Sequence, residues 1–163
     1  SYVLHGPYQR QGLGAADWEV WAAIEGLYQS GKTKMIGISN VTPEQLTQLC
    51  AKAAVKPMMV QNRCYAALGW DKEVREICRT QGIIYQGFSL LTANREVFSD
   101  PNIRVIAQRL KTGLAQVVFR FAMQVGMLPL TGTTNEQHMK DDLQAERLIL
   151  TAEDMKIIGT VGM

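Results

Sequence analysis

Short apolar runs alternate with longer stretches of helical period along the whole chain, and this alternation leaves few folds open. Tyr2 to His5 is apolar and stops at Gly6-Pro7, which predicts a strand ended by breakers. Met35 to Ser39, Pro57 to Gln61, Ile83 to Phe88 and Met127 to Leu130 read the same way. Their near-continuous apolar character is that of strands covered on both faces. Between them, Val20, Trp21, Ile24, Leu27 and Tyr28 recur with a 3.6-residue period, in a helix expected to be capped by Asp17 and ended by Gly31. Thr42-Pro43-Glu44-Gln45 is a capping box with proline at the first helical position. Further helices are expected from Asp71 to Gly82, from Pro101 to Leu110, from Leu114 to Gln124, after the cap Asn135, and from Thr151 to Gly159. The order β-α-β-α-β-α-β-α-α-β-α implies a parallel sheet with helices packed on it.

Two α/β architectures have that order. A doubly wound open sheet needs five or six strands, and 163 residues suit it. A closed eight-stranded barrel needs about 250 residues. Strand count alone favours the doubly wound sheet. The length fits a single domain spanning residues 1–163.

Composition excludes several partners. The net charge is +2 with acids and bases interspersed, so nothing marks a nucleic-acid surface. No apolar run reaches the roughly 18 residues of a membrane span. The opening SYVLHGP lacks the charged and apolar regions of a signal peptide. Three cysteines, Cys50, Cys64 and Cys78, without a CxxC spacing, argue against a disulfide framework or a zinc site. Free thiols in a reducing cytoplasm are the expectation, with Cys50 and Cys78 as core residues.

Five motifs then shift the choice of fold. GKTKMIGISN (Gly31 to Asn40) resembles the segment around the fifth barrel strand of the aldo-keto reductase family. PMMVQNRCY (Pro57 to Tyr65) is similar to that family's sixth strand, and QGFSLL (Gln86 to Leu91) to its seventh. The stretch from Leu114 to Leu143 resembles its last long helix, eighth strand and cofactor loop, and LHGP (Leu4 to Pro7) the end of its fourth strand. The resemblance implies a partial (β/α)8 TIM barrel of about five parallel strands, strands four to eight. It implies an NAD(P)H-dependent carbonyl reductase whose catalytic Asp, Tyr and Lys belong to strands that residues 1–163 do not contain. The expected cofactor is NADP(H) or NAD(H), and the expected partner of the intact protein is a small-molecule carbonyl substrate. A chain with these strands alone is expected to be inactive. An alternative is a non-catalytic half-barrel that binds cofactor or a partner chain. Five parallel strands leave two edges, which predicts pairing with a copy of itself or aggregation.

The resemblance also assigns residues, each with a structural alternative. His5 stands where the family polarises the substrate carbonyl; without the resemblance, a histidine bonded to backbone at a strand end is the favoured reading. Ser39, Asn40 and Gln61 correspond to the grip on the nicotinamide carboxamide, which both donates and accepts. The alternative for Ser39 and Asn40 is a plain strand-to-loop turn, and for Gln61 a solvated strand end. Phe88 stands in place of a tyrosine that stacks on the nicotinamide, or fills core. Ser89 and Leu91 would face the pyrophosphate. Gly132, Thr133 and Thr134 precede a helix N-terminus, a natural anion site. Gly132 and His138 stand where a Lys and an Arg commonly engage the 2′-phosphate, and Asp141 and Asp142 replace a Glu and an Asn near the adenine. Two cations lost and an anion gained predict a weaker preference for NADPH over NADH.

Overall fold

A computed structural model describes residues 1–163. Its five strands form one sheet in sequence order: β1 (Tyr2–Leu4), β2 (Ile36–Ser39), β3 (Met59–Arg63), β4 (Ile84–Phe88) and β5 (Leu128–Pro129). β1 pairs parallel with β2 through Tyr2↔Ile36, and β2 with β3 through Gly37↔Met59. The amide of Ile84 donates to the Met58 carbonyl and that of Cys64 to the Phe88 carbonyl, so the β3–β4 register also advances in one direction. The expected parallel α/β arrangement is present. Two compact units divide the chain, Ser1–Asn62 with Lys72–Gln86, and Arg63–Asp71 with Gly87–Met163.

The first unit carries α1 (Ala15–Gln29), α2 (Pro43–Lys52) and α3 (Lys72–Gln81) beside β1 to β3. All four residues of β2 are buried, together with Trp21 and Ile24 of α1 and Leu46 and Leu49 of α2. Each such large aliphatic side chain removed from water contributes about 1.5–3 kcal/mol. Asp17 caps α1 from within its first turn, and the N-cap position itself belongs to Gly14. The helix starts at Ala15, where two alanines favour it, and Asp17 is its third residue, in the first turn. Its carboxylate accepts from the Gly14 and Tyr8 amides, both at 2.8 Å, which ties the loop after β1 to the helix. The buried Gln45 amide fastens the same loop by donating to the Gln9 and Gly12 carbonyls. The capping box at Thr42 is formed as expected.

The second unit carries α4 (Arg95–Ser99), α5 (Pro101–Arg109), α6 (Leu114–Gln124), α7 (Glu136–Gln144) and α8 (Ala152–Thr160). Val117, Val118, Phe119 and Phe121 of α6 are its buried centre, and Trp70 packs at a 5.0 Å ring separation on Phe121. The Trp70 indole donates to the Ile158 carbonyl, and the residue is 1% exposed, so Trp70 is a core residue. All three cysteines are buried and free.

Most boundaries moved by a single residue, and three differences are larger. β3 runs two residues later than Pro57 to Gln61, because Pro57 has no amide to give the ladder and the first bond comes from Met58 to Ile36. β5 shortens to two residues around Pro129 for the same reason. The loop expected after β4 contains the short helix α4, whose five residues are too few to show a period.

Candidate functional site

His5, Ser39, Asn40, Phe88, Ser89 and Leu91 lie at or just beyond the C-terminal ends of their strands, whereas Gln61 is the middle residue of β3 and not its end. Beyond β5, Gly132, Thr133 and Thr134 lie in the loop, while His138, Asp141 and Asp142 lie in α7. Those in the first unit form one hydrogen-bonded group. Ser39 closes β2 at 4% exposure, and its hydroxyl donates to the Gln61 carbonyl at 2.5 Å. The Asn40 amide donates to that same carbonyl at 3.1 Å. Asn40 takes the left-handed conformation, φ 53°, which asparagine tolerates better than most residues. Its side-chain Nδ2 donates to the His5 carbonyl at 2.8 Å. Gln61 Nε2 donates to Gln86 Oε1 at 3.1 Å. His5 is exposed, with its backbone held by Asn40 and its imidazole free of bonds within the chain. Beneath this group, buried Asn62 pairs both ways with Val41 and fixes the turn after Asn40.

This donor and acceptor set fits a primary carboxamide. After the internal bonds are counted, Asn40 retains Oδ1 and one N–H, and Gln61 retains Oε1 and one N–H. A carboxamide needs acceptors for its NH2 and a donor for its oxygen, and both kinds remain. Ser39 keeps only acceptor capacity, since its proton goes to Gln61.

In the second unit, Phe88, Ser89, Leu90, Leu91 and Thr92 face Phe119, Leu130, Thr131 and Gly132 across a cavity of about 370 Å³. Small-ligand sites begin near this size. Phe88 is half-buried, and the Arg63 guanidinium lies over its ring, 5.6 Å from the centroid. Ser89 is left-handed at φ 57°, which turns the chain sharply as it leaves β4. A side chain added at Gly132 would meet nothing within 4 Å, so this wall of the cavity is open.

The α7 N-terminus offers less to an anion than its position promises. Asn135 Oδ1 already accepts from the Gln137 and His138 amides at 2.9 and 3.1 Å. The Thr133 hydroxyl accepts from the Asn135 amide. That leaves the Glu136 amide, the Thr133 proton and the exposed Thr134 hydroxyl. Lys140 is paired with Glu136 at 2.7 Å, and His138 is exposed. Asp142 accepts from Gln116 at 3.2 Å and from Thr131 at 3.1 Å, bracing the loop after β5. Asp141 accepts from Gln137 within its own helix.

Sequence reasoning missed Gln86, Arg63, Thr131 and the buried Asn94. Gln86 is visible in QGFSLL as a polar residue one place before a buried glycine, which marks a strand position facing other polar groups. Nothing in the sequence points to Arg63 over Phe88.

A parallel sheet with polar residues at the C-terminal ends of its strands defines the class of α/β enzyme folds, to which both barrels and doubly wound sheets belong. The aldo/keto reductase family model matches residues 2–162, and the chain belongs to that family. An uncharacterized oxidoreductase of Bacillus subtilis (strain 168), YtbE, is 31% identical over 161 residues, 99% of this chain and 55% of that protein. The glyoxal reductase of the same organism is 30% identical over 144 residues, 88% of this chain and 51% of that protein. The chain spans about half the length of the curated relatives it matches. Among solved structures, MGS-M4, an aldo-keto reductase from a Medee basin deep-sea metagenome library, superposes with a TM-score of 0.86 at 21% identity, over 99% of this chain and 59% of that one. The D53A mutant of Gox0644 in complex with NADPH gives 0.83 at 28% identity, over 97% and 56%. The fold is therefore that of part of an aldo-keto reductase barrel, and the doubly wound alternative is set aside.

Proposed function

We propose that the chain is the cofactor-holding part of an NAD(P)H-dependent carbonyl reductase of aldo-keto reductase type. The observation that carries the reading is the Asn40–Gln61 group, which leaves unspent both acceptors and N–H donors, the two kinds of partner a nicotinamide carboxamide requires. Asn40 Oδ1 and Gln61 Oε1 would accept from the carboxamide NH2, and the second Asn40 N–H would donate to its oxygen. Ser39 holds Gln61 in place. Phe88 offers a flat apolar face to the nicotinamide ring. By the family resemblance, Ser89 and Leu91 would contact the pyrophosphate, and Gly132, Thr133, Thr134 and His138 the adenosine phosphate. A nicotinamide bound there supplies hydride to a carbonyl carbon. His5, exposed after β1, donates a hydrogen bond to the carbonyl oxygen as negative charge develops on it.

The alkoxide then needs a proton. Tyr2, Tyr8 and Tyr65 are exposed, but no lysine in the chain stands in a family-matching place to prime any of them. General acid catalysis contributes roughly 10²–10⁴-fold. Residues 1–163 alone therefore bind cofactor and turn over a small aldehyde at a negligible rate. The test is NADPH oxidation with glyoxal by purified 1–163. Turnover at enzyme-like rates refutes the assignment of the general acid to residues outside this chain.

A second reading is favoured by one observation. β1 and β5 are the outermost strands of the sheet, and Tyr2 and Leu128 on them are half-exposed. In that reading the chain is a non-catalytic half-barrel that pairs through these edges. Sedimentation as a stable monomer over a range of concentrations counts against it.

A further inference from the structure

Asn94 is 0% exposed and has no part in the reading above. Its Oδ1 accepts the Ala66 amide at 2.6 Å. Its Nδ2 donates to the Cys64 carbonyl at 3.0 Å and to the Leu90 carbonyl at 2.8 Å. All three partners are backbone groups. Two belong to the segment that follows β3, and one belongs to the loop that follows β4. The side chain uses one acceptor and both donor hydrogens, a combination that only a carboxamide supplies at this reach. Ser89, Leu90, Leu91 and Thr92 of that loop form one wall of the 370 Å³ cavity. The loop leaves β4 through the left-handed Ser89 and is caught again by the Ala93 amide bonding to the Ser89 carbonyl.

We propose that Asn94 is the positioning residue of the pyrophosphate loop: it locks the backbone of Ser89–Thr92 to the end of β3, so that the loop meets a dinucleotide pyrophosphate already shaped. The proposal rests on the reading of this loop as the pyrophosphate contact. A loop that binds an anion through its own amides and hydroxyls loses affinity when those donors must be ordered on binding. Asn94 touches no ligand itself. Its loss is therefore felt by ligands that contain a pyrophosphate and not by ligands that reach only the loop before α7.

The experiment compares NADPH with adenosine 2′,5′-bisphosphate, which has no pyrophosphate, on the full chain. Asn94→Asp keeps the size and the acceptor for Ala66 but sets an oxygen against two carbonyls; Asn94→Ala removes all three bonds. Both variants are expected to weaken NADPH by about tenfold or more. Adenosine 2′,5′-bisphosphate should change by less than about twofold. Equal weakening of both ligands, or of neither, overturns the proposal. Should the variants fail to fold, hydrogen exchange on the unaltered chain decides. The Ala66 amide must be slow without ligand, and NADPH must add protection at Ser89–Thr92. A fast Ala66 amide, or NADPH protection that bypasses Ser89–Thr92, contradicts the clamp. If the unaltered chain binds no NADPH, the nucleotide reading itself fails and takes the clamp's ligand with it. Binding that ignores Asn94 sinks the clamp alone.

Discussion

Gly37 and Met59 are register partners in adjacent strands, and a Cβ built on Gly37 would lie 2.6 Å from the Met59 carbonyl oxygen and closer still to its Cγ. The oxygen is backbone and has no room to yield. Gly37→Ala should therefore cost about 3 kcal/mol in urea unfolding. Gly26 in α1 meets nothing within 4 Å, and Gly26→Ala there should stabilise by roughly 0.5–1 kcal/mol. A Gly37→Ala chain as stable as the parent would show that the β2–β3 register is wrong.

Asp154 gives the chain an acid-sensitive joint. Burial by itself would raise its carboxyl, but hydrogen bonds from the Arg109 guanidinium and from Thr151 outweigh burial and hold it below the usual carboxylate range. A folded value below the unfolded one means the stabilisation is present above about pH 4 and is lost as pH falls through and below it. Asp154→Asn should cost about 2 kcal/mol at neutral pH, since Arg109 is half-exposed and its pairing is partly screened. The variant should also flatten the loss of stability on acidification. A variant that keeps the parent's full acid slope would assign that slope to other carboxylates.

Cofactor choice follows from the loop before α7. Gly132 has no side chain, Lys140 is held by Glu136, and Asn135 has satisfied two helix amides. The chain should prefer NADPH over NADH only weakly. Room exists at Gly132 for a longer residue. Gly132→Lys combined with His138→Arg should raise the preference for NADPH by one decade or more, because each charged bond contributes about 1.5–3 kcal/mol. A parent chain that already prefers NADPH by about a thousandfold would mean that another cation reaches the 2′-phosphate.

The order of elements was legible because parallel strands covered on both faces must be continuously apolar, as Ile36 to Ile38 are, and because Gly31, Gly82 and Gly126 take the positive φ that ends helices. Asn40 and Gln61 were legible only through motif resemblance. What joins them is a pair of backbone and side-chain bonds between strands far apart in sequence, and no local pattern encodes those. Asn94 was illegible for a related reason. A buried asparagine and a solvated loop asparagine look alike until the three backbone groups around it are placed.

The central claim is that this chain carries the grip on a nicotinamide dinucleotide. It is tested most directly by titrating the full chain with NADPH and repeating the titration with Gln61→Ala and Asn40→Gly. Glycine at position 40 keeps the left-handed backbone while removing the side chain. The account predicts saturable binding of one NADPH per chain, weakened about tenfold by each substitution with folding intact. A folded chain that binds neither NADPH nor NADH, or that binds with an affinity indifferent to both substitutions, contradicts it.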